Sequence, residues 1–177
     1  MTGSNVFAAL SMAVLTVTDT RDESTDTSGR YLVEALQAAG HQLADKVIVR
    51  DDIYQIRAVI SRWIADQNIQ AILITGGTGF TLRDSTPEAV SPLFDKTIDG
   101  FGELFRAVSF QEIGSSTVQS RAIAVLANNT VIFCVPGSTG ACKTAWTQII
   151  QNQLDSQHKP CNFVGVLITR AKQAVSI

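Results

Sequence analysis

The stretch from residue 75 to residue 84 combines bare backbone with a carboxylate, two features that together suit a phosphate and a metal ion. It reads TGGTGFTLRD, and its glycines are Gly76, Gly77 and Gly79. Without a Cβ, glycine lets a ligand approach the main-chain amides closely and lets the chain turn through positive φ. The hydroxyls of Thr75 and Thr78 add donors. We therefore predict that this loop can hold a negatively charged oxygen.

Two common nucleotide-binding patterns are absent from this loop. No Gly-Lys-Ser/Thr follows the glycines at the spacing of a Walker A loop, and GGTGF does not give the G-x-G-x-x-G turn of dinucleotide-binding folds. Their absence disfavours a generic nucleotide-binding oxidoreductase. The glycines alone leave open a tight turn that binds nothing.

Asp84 is the residue that favours a ligand over a simple turn. Ser85 or Thr86 can cap a helix that starts at Pro87, so capping accounts for the residues that follow Asp84. Capping does not explain a carboxylate beside anion-binding amides, because that charge repels a phosphate unless a divalent cation lies between them. Mg²⁺ commonly binds through one or two carboxylates plus substrate phosphates. Asp84 is therefore a candidate metal ligand.

A second carboxylate is available from Asp51 and Asp52, which follow the apolar run KVIV. The simpler interpretation, favoured by the spacing, is that one of the two caps the helix that comes next. The alternative is that one of them joins Asp84 at the ligand. The sequence leaves open which of the pair faces the cleft.

Apolar runs of strand length alternate with helical patterns along the chain. Strands are predicted at 14–18, 46–49 and 71–75, and helices at about 29–39 and 52–67, with Ser28 as a cap for the first helix. Such alternation predicts parallel strands joined by right-handed crossovers. The fold class is therefore α/β, a three-layer α/β/α sandwich with a mostly parallel sheet, whose ligands bind beyond the carboxyl ends of the strands.

A second glycine loop lies nearer the C-terminus. Asn128 and Asn129 separate two apolar runs and predict a hairpin turn, so one strand is expected to be antiparallel. The second run leads into Pro136, Gly137 and Ser138 and then a helix, whose N-terminus carries a partial positive charge. Ser138 either binds a ligand or merely caps that helix.

Composition and charge limit the function classes. The 177 residues carry a formal net charge of -2, so no basic field attracts nucleic acid or an anionic membrane. No secretory signal is recognisable, and no apolar run approaches the roughly 20 residues of a membrane span. The three widely spaced cysteines predict reduced thiols. We expect a cytoplasmic protein with a single domain over residues 1–177 and flexible tails at about 1–11 and 170–177.

Four segments in fixed order resemble a known family. They read ITGGTGFTLRDSTPEA, GFGELFR, SFQEIGSSTVQSRA and VPGSTGACKTAW. Together they are similar to the MoaB/MogA family of molybdenum cofactor biosynthesis proteins, with the bacterial MoaB branch as the nearest, and the likeness runs from about residue 12 to residue 163. The resemblance implies the MogA/MoaB-like molybdopterin-binding fold, a homotrimer or homohexamer, and a molybdopterin adenylyltransferase that needs ATP and Mg²⁺.

The resemblance also implies roles for the matched positions. Asp84 would hold or orient Mg²⁺ on the ATP phosphates. Asp51 matches a second acidic position, where relatives carry Val-Pro-Asp; here Arg50 replaces the proline, and Asp52 would serve if the register slips by one. The residues expected to bind ligand are Thr75, Gly76, Gly77, Thr78 and Gly79 of the first loop, Pro136, Gly137 and Ser138 of the second, and Ser120.

The implied reaction is attack by the terminal phosphate of molybdopterin on the α-phosphorus of ATP. That phosphate is already a nucleophile at neutral pH, so alignment and charge neutralisation suffice without a strong base. His41 and His158 are accordingly expected at the surface rather than in catalysis. The alternative, which the Arg50 departure permits, is a non-catalytic molybdopterin-binding or assembly subunit. A downstream molybdenum-insertion protein is a further expected partner; nucleic acid and membrane are not.

Overall fold

One six-stranded sheet organises residues 6–173, which the computed structural model describes. The strands are β1 Ser11–Val17, β2 Gln42–Val49, β3 Ala71–Thr75, β4 Lys96–Thr97, β5 Ile123–Ala127 and β6 Thr130–Val135. Their spatial order is β2-β1-β3-β6-β5-β4. Strands β2, β1, β3 and β6 are parallel, whereas β5 runs antiparallel to both of its neighbours. The predicted mostly parallel sheet with one antiparallel strand is confirmed.

Helices cover both faces of the sheet. They are α1 Thr27–Ala38, α2 Ile53–Ala65, α3 Thr86–Val90, α4 Asp99–Ile113, α5 Thr139–Ala145, α6 Gln151–Leu154 and α7 Val164–Gln173. A π-helical turn, Trp146–Ile150, joins α5 to α6, and 3₁₀ turns lie at Ser91–Leu93 and Gly114–Gln119. Within the described residues, none of these helices has the length and apolar character needed to cross a bilayer.

Alternate residues of the central strands serve opposite layers. On β1, Met12 and Val14 belong to the buried cluster built with α1, α4 and α5, whereas Ala13 and Leu15 belong to the cluster built with α2 and α3. This period of two follows from the pleat, and burial of both faces explains why the strand reads as a continuous apolar run. The predicted three-layer α/β/α sandwich is confirmed.

The structure differs from the sequence predictions at the two predicted tails and at His41. The predicted tail at 1–11 overlaps the ordered fold, because Leu10 is fully buried and Ser11 begins β1. Residues 1–5 and 174–177 lie outside the described residues, while residues 170–173 of the other predicted tail are part of α7. His41 was expected at the surface, yet it is buried, and its Nδ1 accepts a hydrogen bond from the Leu10 amide at 3.2 Å.

Asp26, not the predicted Ser28, caps α1. Its carboxylate accepts a hydrogen bond from the Gly29 amide at 2.8 Å and one from the Thr16 hydroxyl at 2.9 Å, and the Lys46 ammonium lies 3.2 Å away. Asp26 is fully buried, so desolvation raises its pKa, but the bonds from Gly29, Thr16 and Lys46 outweigh burial and hold the pKa below its usual range. The network joins β1, β2 and α1 through Thr16, Lys46 and Gly29.

We expect Asp26→Ala to lower the free energy of unfolding by about 1–3 kcal/mol, because two buried donors, the Gly29 amide and the Thr16 hydroxyl, lose their acceptor and the partly buried Lys46 loses one of its partners. Since the folded pKa of Asp26 is depressed, its contribution is present above the unfolded pKa of about 4 and is lost as pH falls below it. Urea unfolding from pH 7 to pH 3 measures both effects. Glu34→Ala, at an exposed position of α1, is the control, and equal losses in the two variants would contradict this role.

Candidate functional site

A cavity of about 560 Å³ lies beyond the carboxyl ends of β1, β3 and β6. Loops that follow these strands form its walls, together with Asp51 after β2 and the turn after α4. Of the residues predicted to form the site, those that line this cavity are Asp51, Thr75, Gly76, Gly77, Thr78, Gly79, Asp84, Ser120, Pro136 and Gly137. The structure thus brings together segments far apart in sequence, at the sheet edge where ligands were expected.

Gly76 sits where three backbone segments meet. Its φ is +102°, and a Cβ built there would lie 2.1 Å from the carbonyl oxygen of Val17 at the end of β1. A Cβ on Gly137 would lie 3.2 Å from the Gly76 Cα, so the two glycine loops also touch through their main chains. The close approach of these segments, and not flexibility, is what requires glycine at position 76.

Thr86 fixes the direction of the first two peptide units in the glycine loop. Its hydroxyl donates to the Gly76 carbonyl at 2.8 Å, and its amide donates to the Gly77 carbonyl at 2.9 Å. Because a trans peptide points its C=O and N–H in opposite directions, the amides of Gly77 and Thr78 point away from α3. Neither amide has a hydrogen-bond acceptor among residues 6–173. Both therefore remain available to an anion in the cavity that these residues line.

Asp51 is the member of the aspartate pair that faces the cavity. Asp52 caps α2 by accepting from the amides of Tyr54 at 3.0 Å and Gln55 at 2.9 Å. The Asp51 carboxylate instead accepts from the amide of Ser85 at 3.0 Å and from its hydroxyl. Desolvation raises the pKa of Asp51, and the charges of nearby carboxylates add to this, although the bonds from Ser85 oppose it.

Asp84 experiences the opposite environment. Its Oδ2 accepts from the Thr81 amide at 2.8 Å. Partial desolvation raises the pKa of Asp84, but hydrogen bonds from Thr81 and Gly79 and the positive charge of Arg121 outweigh it, so the pKa lies below its ordinary value. The cavity therefore contains one carboxylate whose anionic form is favoured by its surroundings and a second, Asp51, whose anionic form is disfavoured by burial.

Hydroxyls that the sequence assigned to caps or to ligand binding have other partners. The side chains of Ser85 and Thr86 make no capping hydrogen bond to α3. The Ser85 hydroxyl donates to Asp51, and the Thr86 hydroxyl donates to the Gly76 carbonyl. This five-residue helix has Pro87 in its first turn, so fewer of its amides need a cap. The fully buried Thr75 hydroxyl was expected to face a ligand, but it donates to the Pro136 carbonyl at 3.1 Å. Ser138 does not line the cavity, because its hydroxyl caps α5 by accepting from the Ala141 amide at 3.1 Å.

Three arginines surround the cavity, and their contacts leave little signal in the sequence. Arg21 donates to the Gly137 carbonyl at 3.3 Å, and Arg83 forms a 2.8 Å ion pair with Asp19 at the rim. Arg121 donates through Nε to the Gly79 carbonyl at 2.7 Å, across 42 positions of sequence. No local pattern predicts such a long-range contact; the only signal was an arginine after a hydroxyl-rich segment.

We expect Gly76→Ala to lower the free energy of unfolding by about 1–3 kcal/mol, because the positive φ and the Val17 carbonyl both oppose a side chain. Gly100→Ala is the control, since a Cβ at Gly100 in α4 meets no atom within 4 Å. That variant should be neutral or stabilised by up to about 1 kcal/mol. Denaturant unfolding compares the two, and equal stability would contradict a constrained loop.

Comparison with known proteins relates the chain to molybdenum cofactor biosynthesis proteins. A family model described as "Probable molybdopterin binding domain" matches residues 3–156. Molybdenum cofactor biosynthesis protein B of Escherichia coli K12 is 55% identical over 160 residues, which cover 90% of this chain and 94% of that protein.

Two solved structures share the fold. A crystal structure of a molybdenum cofactor biosynthesis protein B superposes with a TM-score of 0.83 and 39% identity, covering 94% of this chain and 98% of that one. The tungsten cofactor synthesizing protein MoaB from Pyrococcus furiosus superposes with a TM-score of 0.70 and 36% identity, over 80% of this chain and 90% of that one. The chain therefore belongs to the MoaB family of molybdenum cofactor biosynthesis proteins, built on the molybdopterin-binding fold.

Proposed function

We propose that this protein transfers AMP from ATP to the terminal phosphate of molybdopterin, giving adenylyl-molybdopterin and pyrophosphate with the help of Mg²⁺. The supporting observation is that the unpaired amides of Gly77 and Thr78 and the carboxylates of Asp51 and Asp84 belong to one cavity. The amides suit phosphate oxygens, and the carboxylates suit a divalent cation between those phosphates. Carboxylates would repel a phosphate bound by these amides, unless the ligand is a phosphate compound with a divalent cation attached.

The transfer needs little proton chemistry from the protein. An oxygen of the terminal phosphate of molybdopterin forms a bond to the α-phosphorus of ATP, and the bond from that phosphorus to the bridging oxygen of the β-phosphate breaks. The electron pair leaves with pyrophosphate. The work left for the chain is to align two anionic substrates and offset their repulsion. Buried His41, which binds the Leu10 amide, is occupied elsewhere.

The carboxylates of the cavity fit Mg²⁺, which prefers oxygen ligands and keeps several waters. Among residues 6–173, no group of three or more His, Cys, Asp or Glu residues lies close enough to hold a metal unaided. Asp84 and Asp51 would therefore supply one or two ligands, with phosphates and water in the other positions. When bound, Mg²⁺ neutralises charge on the phosphates. Asp84 is the better ligand, because hydrogen bonds and the charge of Arg121 lower its pKa and so favour its anionic form, whereas burial raises the pKa of Asp51.

A second candidate is a non-catalytic molybdopterin-binding or assembly subunit. Arg50, which replaces the proline of the family pattern, lines an adjoining cavity of about 480 Å³ together with Asp51. A permanent positive charge that lines the same adjoining cavity as Asp51 would weaken the attraction of this carboxylate for a metal ion. That observation favours binding without turnover, so the two candidates differ in product formation rather than in binding.

We also propose that the protein acts in the cytoplasm and passes its product to a molybdenum-insertion protein. All three cysteines are free thiols, and burial raises the pKa of Cys142 to about 11. Thiols that are not joined in disulfides are the form expected in a reducing compartment. An adenylylated product carries a good leaving group, which suits transfer to a later step of the same pathway.

Asp84→Asn is expected to lower the rate of adenylyl transfer by about 100-fold or more while largely sparing molybdopterin binding, because it removes the charge that orients Mg²⁺ but keeps the side-chain shape. Purified protein is incubated with molybdopterin, ATP and Mg²⁺, and mass spectrometry detects the adenylylated product. Glu34→Gln is the control for loss of one carboxylate.

Binding without product in the wild type would retire the enzymatic proposal and leave the binding subunit. Unchanged turnover in Asp84→Asn would remove Asp84 from its assigned role.

We propose a homotrimer, alone or paired into a hexamer, that uses the outer face of α4. Phe101 and Phe105 are buried on the inner side of this helix, whereas Leu104 and Phe110 are about half exposed. Light scattering should give three or six times the mass of one chain, and Phe110→Asp should lower it because a charge enters an apolar contact. Val166→Asp, a similarly exposed residue of α7, is the control; a monomeric wild type would contradict the proposal.

A further inference from the structure

We infer that Arg121 is a positioning residue that holds the end of the glycine loop and the turn after it in the shape that places the Asp84 carboxylate at the cavity. The inference rests on the proposed function only in taking the ligand of the loop to carry phosphate groups. Arg121 itself need not touch that ligand. Its contacts are with the backbone on the far side of the loop.

Three donors of Arg121 bind three carbonyls of one segment. Its amide donates to the Thr78 carbonyl at 3.1 Å, its Nε to the Gly79 carbonyl at 2.7 Å, and its Nη2 to the Asp84 carbonyl at 2.9 Å. These acceptors bracket the exposed turn at 80–83. The planar guanidinium offers its donors in a fixed geometry, so both ends of the turn are held at one separation.

The contacts of Arg121 continue those of Thr86. Thr86 donates hydrogen bonds to the carbonyls of Gly76 and Gly77, and Arg121 donates to those of Thr78 and Gly79. Four consecutive carbonyls therefore have hydrogen-bond donors within the protein. In each trans peptide the next amide points the opposite way. Substitution of Arg121 keeps the main-chain bond to Thr78 but removes the guanidinium, which would free the Gly79 carbonyl and loosen the turn in which the Gly79 amide donates to the Asp84 carboxylate.

Two neighbours hold the guanidinium of Arg121 in place. Glu88, in the first turn of α3, forms an ion pair with Nη1. The ring of Phe80 lies with its centroid 5.2 Å from the Cζ atom of Arg121, a cation–π distance. Phe80 is itself a residue of the turn that Arg121 brackets. The arginine is therefore fixed from both sides while its donors face the loop.

Arg121 also influences the carboxylate that the same turn carries. The Asp84 carboxylate accepts a hydrogen bond from the Thr81 amide, which lies within this turn, at 2.8 Å. That bond depends on the shape of the turn, which Arg121 holds at both ends. One residue outside the ligand contacts thus fixes the position of the carboxylate.

Arg57 provides a matched control for a merely structural role. It donates through Nε to the Ala89 carbonyl at 3.1 Å and through Nη2 to the Glu88 carbonyl at 2.9 Å. It therefore binds α3 as Arg121 does, but it makes no hydrogen bond to the glycine loop among the described residues. Stability alone would respond to both arginines, and anion binding only to Arg121.

The experiment compares Arg121→Gln, Arg121→Lys and Arg57→Gln in the full-length protein. Calorimetry measures the affinity for magnesium pyrophosphate, hydrogen–deuterium exchange follows the segment 76–85, and thermal melting reports the fold. Arg121→Gln should bind pyrophosphate about tenfold more weakly and exchange faster over that segment. Arg121→Lys should recover part of the affinity, because an ammonium can reach one of the two carbonyls that the guanidinium fork binds together. Arg57→Gln should bind as the wild type does.

Pyrophosphate affinity within twofold of the wild type in Arg121→Gln would overturn the inference, and so would an equal loss in Arg57→Gln. If Arg121→Gln does not fold, Glu88→Gln takes its place, with an expected loss of about threefold against the same control. A wild type that binds no pyrophosphate overturns the inference as well. A wild type that binds pyrophosphate but makes no adenylylated product removes only the proposed reaction.

Discussion

The direction of the peptide units between Gly76 and Gly79 is the constraint on which the site depends. Their carbonyls are bound from behind by Thr86 and Arg121, so their amides cannot turn inward to satisfy one another. A glycine loop left free would lose entropy each time it closed on a phosphate. In this protein the loop loses that conformational entropy during folding, because it contacts α3, β1 and the second glycine loop.

The sheet explains why these contacts converge. Parallel pairing of β2, β1, β3 and β6 brings four carboxyl-terminal loops to one edge, and each supplies a different chemical part. The loop after β3 gives amides and Asp84, and the turn after β2 gives Asp51. Ser85 joins the two, since it follows Asp84 and donates to Asp51. The unequal pKa directions of the two aspartates follow from this arrangement, in which one is more desolvated and the other better hydrogen-bonded.

Much of the fold and the place of the site could be predicted from local patterns, because buried parallel strands, helix periodicity and glycine-rich turns each leave a signal in adjacent residues. Partners distant in sequence could not. Asp26 replaced Ser28 as a cap because its other partners, Thr16 and Lys46, lie on neighbouring strands. Thr86 has a sequence position suited to a cap, and only the tertiary structure shows that its hydroxyl binds Gly76 instead. The choice between Asp51 and Asp52 likewise depended on where Ser85 lies.

A crystal structure with Mg²⁺ and a non-hydrolysable ATP analogue tests the central claim most directly. Phosphate oxygens within hydrogen-bond distance of the Gly77 and Thr78 amides, and a metal ion between those phosphates and Asp84, are the predicted result. Phosphates bound outside the cavity, or a metal ion that leaves Asp84 in contact with solvent alone, would contradict it.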